Sequence, residues 1–504
     1  MNEDADDDAA TGTGTGGTRP SGDPRRGTRF GTRAVHADGP ADPTTGARAP
    51  PIHQTTSYAF PDADTAADLY ALERQGHIYS RISNPTTERL EDAVASLHDA
   101  PAAVATASGM AALDALTLVL AEAGDTVVCS NDTYGGTTAY LAHTAARRGI
   151  DVEFVDTLDV DAYRDAVDDD TAYVHVETIG NPSLVTPDFD AVADVAHDAG
   201  VPLVVDNTFA TPALCRPGEH GADVVWESTT KWLHGSGTTV GGVVVDTGNF
   251  DWRAHDYPEI AGPNPAYPDT DFGEYAPDAP LAAAVRFRSL RSLGDQQSPF
   301  DAWQTIQGLQ TLELRMDRHC ENARIVAEYL ADHDDVAWVT HPGLDSHPTH
   351  GHASEYLDGG YGGMIAFGLD GPTDGGDGEG DAAGSKSDAA GGEGDARGGY
   401  VAGKRFCERV DLASFLANIG DAKTLVIHPA STTHAQLSPA EQADAGVTPD
   451  LVRLSVGIED PADLLADVEA AIASATSDDA ATATDGGDPT ATADPAGGDR
   501  GDGA

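Results

Sequence analysis

Between about residue 76 and residue 285 the chain repeats one unit, a short apolar run followed by a stretch with helical spacing. The runs are AAVATA (102–107), TVVCS (126–130), VEFV (152–155), AYVHVE (172–177), VPLVVD (201–206), DVVWE (223–227) and GGVVVD (241–246). Strands that are apolar nearly throughout, rather than at every second position, suit a sheet covered on both faces. The intervening stretches supply the cover; in Met110–Ala121, for example, Leu113, Leu116 and Leu120 fall on one face. This alternation predicts an α/β fold with a mostly parallel seven-stranded sheet and helices on both faces. From about 286 the pattern changes to long helices, roughly 300–333, and a smaller C-terminal α+β unit.

Three stretches lack the material for a core. Residues 1–30 are mostly Gly, Thr and Asp, and residues 371–399 and 476–504 are dominated by Gly, Asp and Ala. With so little apolar surface to bury, nothing offsets the ordering entropy, and all three are expected to be disordered. Gly12, Gly14 and Gly17 have G-x-G-x-x-G spacing, but no strand precedes them and no helix follows, so the spacing is chance. The expected organisation is an acidic tail (1–30), an N-terminal arm (31–75), a large domain (76–285), a C-terminal domain (286–475) interrupted at 371–399, and a second tail (476–504).

Charge excludes some partners. The chain has 84 acidic and 29 basic residues, a formal charge of −55. Nucleic acid and anionic membranes would both be repelled. Three-quarters of the acids are Asp, and only four lysines occur: Lys231, Lys386, Lys404 and Lys423. That profile resembles proteins of salt-in halophiles, whose surfaces of short carboxylates hold water and cations in molar salt. No apolar run approaches the roughly 18 residues of a membrane span. The acidic N-terminus has no signal-peptide apolar region, and Arg25-Arg26 is followed by polar residues. Cys129, Cys215, Cys320 and Cys407 form no C-x-x-C pair. A cytoplasmic protein is expected.

In α/β sheets, chemistry gathers where strand ends meet helix starts. The first strand ends in Ser108-Gly109-Met110, a seat for an anion at a helix N-terminus. After TVVCS comes Tyr134 beside Gly135-Gly136; strand 172–177 ends in ETIGNP, with Glu177 and Asn181; strand 201–206 ends in Asp206-Asn207-Thr208. Strand 223–227 leads into Ser228-Thr229-Thr230-Lys231. In a chain nearly stripped of lysine, Lys231 sits directly after a core strand. A nucleophilic amine explains why arginine cannot replace it, because guanidinium stays protonated and forms no Schiff base. His341, His347, His350 and His352 could suggest a metal site, but their Pro/Gly loop predicts exposed rings without ligand partners.

Two mechanisms compete for this segment. Ser228-x-x-Lys231 matches the S-x-x-K of serine acyl-transfer enzymes, but the accompanying S-D-N and K-T-G elements are missing. Pyridoxal phosphate catalysis needs a lysine, an acid for the pyridine nitrogen, a stacking aromatic and phosphate donors, and each is available at successive strand ends. On these motifs, over residues 30 to 475, the chain resembles the Cys/Met-metabolism family of pyridoxal 5′-phosphate enzymes of fold type I.

The resemblance implies that Lys231 carries the cofactor and moves protons, and that Asp206 pairs with the pyridinium nitrogen. Tyr134 stacks on the ring and takes part in proton transfer, Asn181 bonds the phenolic oxygen, and Thr208 lies nearby. Gly109, Met110, Ser228 and Thr230 hold the phosphate. Tyr79 and Arg81, in IYSRISNPT, resemble the pair that reaches a neighbouring subunit's phosphate, implying a homodimer or homotetramer. Arg453 in VRLSVGIED matches the clamp for the substrate α-carboxylate, and Asn418 belongs with it at the substrate. Within the family, segments 241–252, 262–267 and 416–434 resemble the sulfhydrylase branch. The implied reaction is γ-replacement of O-acetyl-L-homoserine by sulfide or methanethiol. Cystathionine γ-synthase, cystathionine γ-lyase and methionine γ-lyase activities remain alternatives within the family. A noncatalytic binding protein on the same scaffold would require lost catalytic positions.

Overall fold

The computed structural model describes residues 27–264, 267–371, 393–436, 438–444 and 446–477. The expected disorder of 1–26, 372–392 and 478–504, the Gly12–Gly17 spacing and Lys386 therefore lie outside the described residues.

All seven apolar runs are strands: β1 Ala102–Thr106, β2 Thr126–Ser130, β3 Asp151–Val155, β4 Thr171–Glu177, β5 Leu203–Asp206, β6 Val224–Glu227 and β7 Gly242–Asp246. They form one sheet in the order β1-β7-β6-β5-β4-β2-β3. β7 runs antiparallel to β1 and β6, and every other neighbouring pair is parallel. Alternate side chains enter two separate cores. Leu203, Val205, Val243 and Val245 face one of them; Val204, Val244, Leu113, Leu116 and Leu120 fill the other. Each fully buried valine contributes about 2 kcal/mol of apolar burial, which is why these strands contain almost no polar interior positions.

The smaller unit is a second sheet of β8 Val336–Thr340, β9 Met364–Leu369, β10 Ser414–Phe415, β11 Leu425–Ile427 and β12 Leu451–Ser455. Its order is β8-β9-β12-β11-β10. Ile365, Phe367 and Leu454 pack against Val326, Phe406 and Val468 of the covering helices. The long helices expected at roughly 300–333 are Pro299–Leu309 and Leu312–Ala331. Ala302, Ile306 and Leu309 enter a core of the large sheet, so the chain beyond 285 serves both units.

Two expectations are corrected. Helix Glu393–Arg409 begins inside the stretch 371–399 that composition predicts to be disordered. Burial of Ala402, Phe406 and Cys407 further along that helix outweighs its glycine content. The histidines of 341–352 are not exposed: His341 and His347 are buried, and His350 and His352 are half-buried. Main-chain partners replace water there. His341 Nδ1 accepts from Gly343 N at 3.1 Å, and His350 Nδ1 and His352 Nδ1 donate to Pro342 O and Thr186 O at 2.8 and 3.2 Å.

Candidate active site

The strand ends of β2, β4, β5 and β6 converge on a connected set of polar side chains. Helix Gly109–Leu120 starts directly after β1; Ser108 caps it by accepting from Ala111 N. Its first N–H groups have no acceptor within the helix, as at any helix start. Gly109 is required by close approach: a Cβ there would lie 2.8 Å from Ser228 Cβ. The phosphate seat expected at Ser108-Met110 and the hydroxyls after β6 are thus adjacent.

Glu177, at the end of β4, accepts from Thr133 Oγ1 at 2.8 Å and from Tyr134 N at 2.6 Å. This fixes the loop that carries the exposed Tyr134 ring. Glu177 lies opposite Asp206 in the β4–β5 register. Burial, and then the Asp206 carboxylate, push Glu177 well above the usual carboxylate range. Asp206 is itself buried, and burial raises its pKa to about 7 although Thr208 N donates to its Oδ1 at 2.9 Å. No ion pair of the described residues supplies that carboxylate with a cation. Thr208 Oγ1 accepts from Ser228 N at 2.9 Å, tying the ends of β5 and β6 together. Ser228 Oγ makes no hydrogen bond among the described residues, whereas Thr230 Oγ1 donates to Gly241 O and accepts from Gly241 N.

Of the described lysines, only Lys231 is drawn inward; Lys404 and Lys423 have 52% and 72% of their side chains exposed. Burial, with Arg453 adding to it, lowers the Lys231 pKa to about 8. Lys231 Nζ donates to Asn418 Oδ1 at 2.7 Å, and Arg453 Nη1 donates to Asn181 Oδ1 at 2.7 Å. Both contacts join the large sheet to the smaller unit. Arg453 Nε is buried and has no hydrogen-bond partner among the described residues. Tyr79 and Arg81 stand elsewhere. The Arg81 guanidinium lies 5.3 Å over the Tyr79 ring, and both line an open groove of about 730 Å³ with Tyr58, Phe60, Tyr70 and Arg291.

Several supporting residues were not legible as site residues. Arg315 donates to Trp232 O at 2.6 Å and Leu233 O at 3.2 Å, pinning the turn after Lys231. Beneath Asp206, Asn207 Nδ2 donates to Glu227 Oε1 at 2.8 Å, Thr178 Oγ1 donates to Asn207 Oδ1 at 2.7 Å, and His98 Nε2 meets Glu227 Oε1 at 3.1 Å. Asn207 and Glu227 could have been found as polar residues closing apolar strands. Arg315 lies on a distant helix and His98 just past the end of another, and neither left a local signal.

Residues 31–473 match the family described as Cys/Met metabolism PLP-dependent enzyme. The chain is 44% identical over 446 residues to a homocysteine synthase of Schizosaccharomyces pombe, covering 88% of this chain and 98% of that one. It is 43% identical over 450 residues to an O-acetyl-L-homoserine sulfhydrylase of Leptospira meyeri, covering 88% and 96%. A Campylobacter jejuni crystal structure assigned as an O-acetylhomoserine (thiol)-lyase, containing a pyridoxyl-lysine monophosphate, superposes with a TM-score of 0.79 at 33% identity. That match covers 88% of this chain and 100% of that one.

Proposed function

Because the chain belongs to the Cys/Met metabolism family of pyridoxal-phosphate-dependent enzymes, we propose that it catalyses γ-replacement on O-acetyl-L-homoserine. Sulfide yields L-homocysteine and acetate; methanethiol in its place yields methionine. The observation that carries this reading is Lys231: a strand-end amine with its pKa lowered to about 8, hydrogen-bonded to Asn418. The names of the relatives support the choice of reaction.

The residues fit the cofactor. Asp206 is a buried carboxylate short of a cationic donor, which a pyridinium N–H provides. Gly109 and Met110 offer N–H groups at a helix start beside the Ser228 hydroxyl, which suits a phosphate. Thr230, already committed to Gly241, shapes this turn more than it donates. Lys231 is the amine for the carbonyl, Tyr134 the ring that stacks, and Asn181 with Thr208 the flanking polar groups.

Bound pyridoxal phosphate supplies an electron sink that stabilises negative charge next to the substrate α-carbon. Arg453 binds the α-carboxylate through its planar fork. Lys231 Nζ, able to lose its proton near neutral pH, removes the proton at Cα and then serves at Cβ. Asn418 orients that amine, and Tyr134 carries a proton at the substrate. Acetate leaves from Cγ, the sulfur nucleophile adds there, and the same groups return the protons. Tyr79 and Arg81 serve the site of a second copy of the chain, in a homodimer or homotetramer. Tyr79, which is exposed, and Arg81, which is half-buried, both border an open groove apart from the Lys231 set, which supports this.

The test is product analysis in high salt. Homocysteine from O-acetylhomoserine and sulfide should far exceed 2-oxobutyrate release, and Lys231→Ala should lower turnover by at least about a thousandfold and remove the visible cofactor absorbance. Predominant 2-oxobutyrate would make the enzyme a γ-lyase. For the shared site, inactive Lys231→Ala and Arg81→Ala variants are mixed, dissociated and reassembled. Random pairing makes half the dimers hybrid with one intact site each, so about a quarter of wild-type activity should return. No recovery would confine each site to one chain.

A further inference from the structure

His434 ends the segment 416–434, and no role above uses it. Its backbone is held on both sides: His434 N donates to Pro429 O, and Gln442 Nε2 donates to His434 O at 2.8 Å. The ring is held too, because Nδ1 shares a 2.9 Å hydrogen bond with Thr433 Oγ1. Nε2 is therefore the nitrogen left for a ligand, and it looks towards Gly135, the residue after Tyr134. A Cβ at Gly135 would sit 3.9 Å from Nε2, in van der Waals contact, so its absence leaves an open slot in front of this nitrogen. Burial and the Arg453 charge lower the His434 pKa below the ordinary histidine value, which keeps the ring neutral at pH 7.

The Tyr134 loop, Arg453 and His434 thus border one space. On the reading proposed above, on which this inference rests, Arg453 holds the α-carboxylate and Tyr134 the end of the substrate at the cofactor. What remains beside His434 is the far end, the γ-oxygen and its acyl group. In the tautomer that carries its proton on Nε2, Thr433 Oγ1 donates to Nδ1 and the Nε2–H points into the slot. We propose that His434 is the specificity-determining residue for the leaving group, its Nε2–H hydrogen-bonding the acyl carbonyl oxygen of a short uncharged ester. When the Cγ–O bond breaks, its electron pair departs with the carboxylate, and the hydrogen bond follows that oxygen pair without proton transfer. A neutral imidazole offers no charge to balance the extra anion of a succinyl or phosphoryl ester. Selection for acetyl therefore comes from slot size and neutrality together.

Wild type, His434→Ala, His434→Gln and Gly135→Ala are compared with O-acetyl-, O-succinyl- and O-phospho-L-homoserine under saturating sulfide. In parallel, exchange of the Cα proton of L-norvaline, which has no ester, is followed in deuterium oxide. His434→Ala should lower kcat/KM for the acetyl ester about tenfold and leave norvaline exchange within about twofold, the scale of one lost hydrogen bond. His434→Gln, which keeps an N–H donor, should recover part of the loss. Gly135→Ala should narrow the slot and discriminate further against the succinyl ester. Norvaline exchange falling in step with ester turnover would make His434 merely structural and overturn the proposal, as would an unchanged order of preference among the esters. A wild type that exchanges the norvaline proton but makes no homocysteine from any ester would overturn the reaction itself, and the proposal with it.

Discussion

At the scale of single residues, the site is a set of ionisable groups held away from their ordinary charge states. Asp206 shows the consequence. Its pKa of about 7, set mainly by burial, lies above the unfolded value of 3.8, so the folded protein binds its proton more tightly than the unfolded chain does. Stability contributed by the protonated form is complete at low pH and is lost as pH rises through about 7, where the buried carboxylate ionises without a cation. A cofactor cation beside Asp206 would relieve that loss. Removing pyridoxal phosphate should therefore lower the melting temperature more at about pH 8 than at about pH 5, and Asp206→Asn should flatten the difference. Calorimetry of the cofactor-free and loaded forms at both pH values measures this; an equal effect in wild type and variant would remove Asp206 from the pairing role. Lys231 was legible in the sequence because it closely follows an apolar strand in a chain with only four lysines, and Asp206 because it ends an apolar strand. The contacts that give them partners were not: the Lys231–Asn418 bond spans 187 positions and Arg453–Asn181 spans 272. Neither spacing has a periodic signature.

At the scale of elements, the seven strands were legible because burial on both faces demands uninterrupted apolar residues. The Glu393–Arg409 helix was not, because the glycines of its first half mask a core-facing row that only tertiary contact rewards. The histidine segment 341–352 was misjudged for a related reason. Pro and Gly mark a loop, and loops usually lie on the surface. Here Thr349 Oγ1 accepts from Thr186 N at 3.0 Å and His352 donates to Thr186 O, so the loop is packed under the one that carries Asn181. The connection between β10 and β11 is the most demanding element. Gly420 has φ +73°, and a Cβ on it would sit 2.7 Å from Trp232 N and 2.9 Å from the Lys231 carbonyl carbon. Its N–H donates to Ser455 Oγ at 2.9 Å. Gly420→Ala must push this connection off the Lys231 turn and carry Asn418 with it. A left-handed conformation for a non-glycine residue costs on the order of 1–3 kcal/mol before any clash is counted. Denaturant unfolding should show a loss of at least about 2 kcal/mol, and kcat should fall in protein that remains folded. Unchanged kcat in a destabilised variant would mean that Asn418 does not orient the lysine.

At the scale of the whole molecule, the formal charge of −55 is the quantity that local structure does not explain. Most ion pairs of the described residues are arginine–carboxylate contacts at partly exposed positions, such as Arg164–Asp161 and Arg324–Glu328. Such pairs contribute about 0–1 kcal/mol each and cannot balance an excess of this size. Self-repulsion among surface carboxylates must instead be met by solvent ions. Simple screening is largely complete near 1 M salt, where the Debye length is about 3 Å. Short aspartates that hold water and cations directly would go on responding above that concentration. The melting temperature should therefore rise steeply with KCl up to about 1 M and keep rising beyond it. Tetramethylammonium chloride, whose bulky cation screens equally but binds carboxylates poorly, should give the first rise and little of the second. Matching curves in the two salts would reduce the acidic surface to a screening effect. A curve flat in both would mean that the excess charge lies too far from the folded core to act on it.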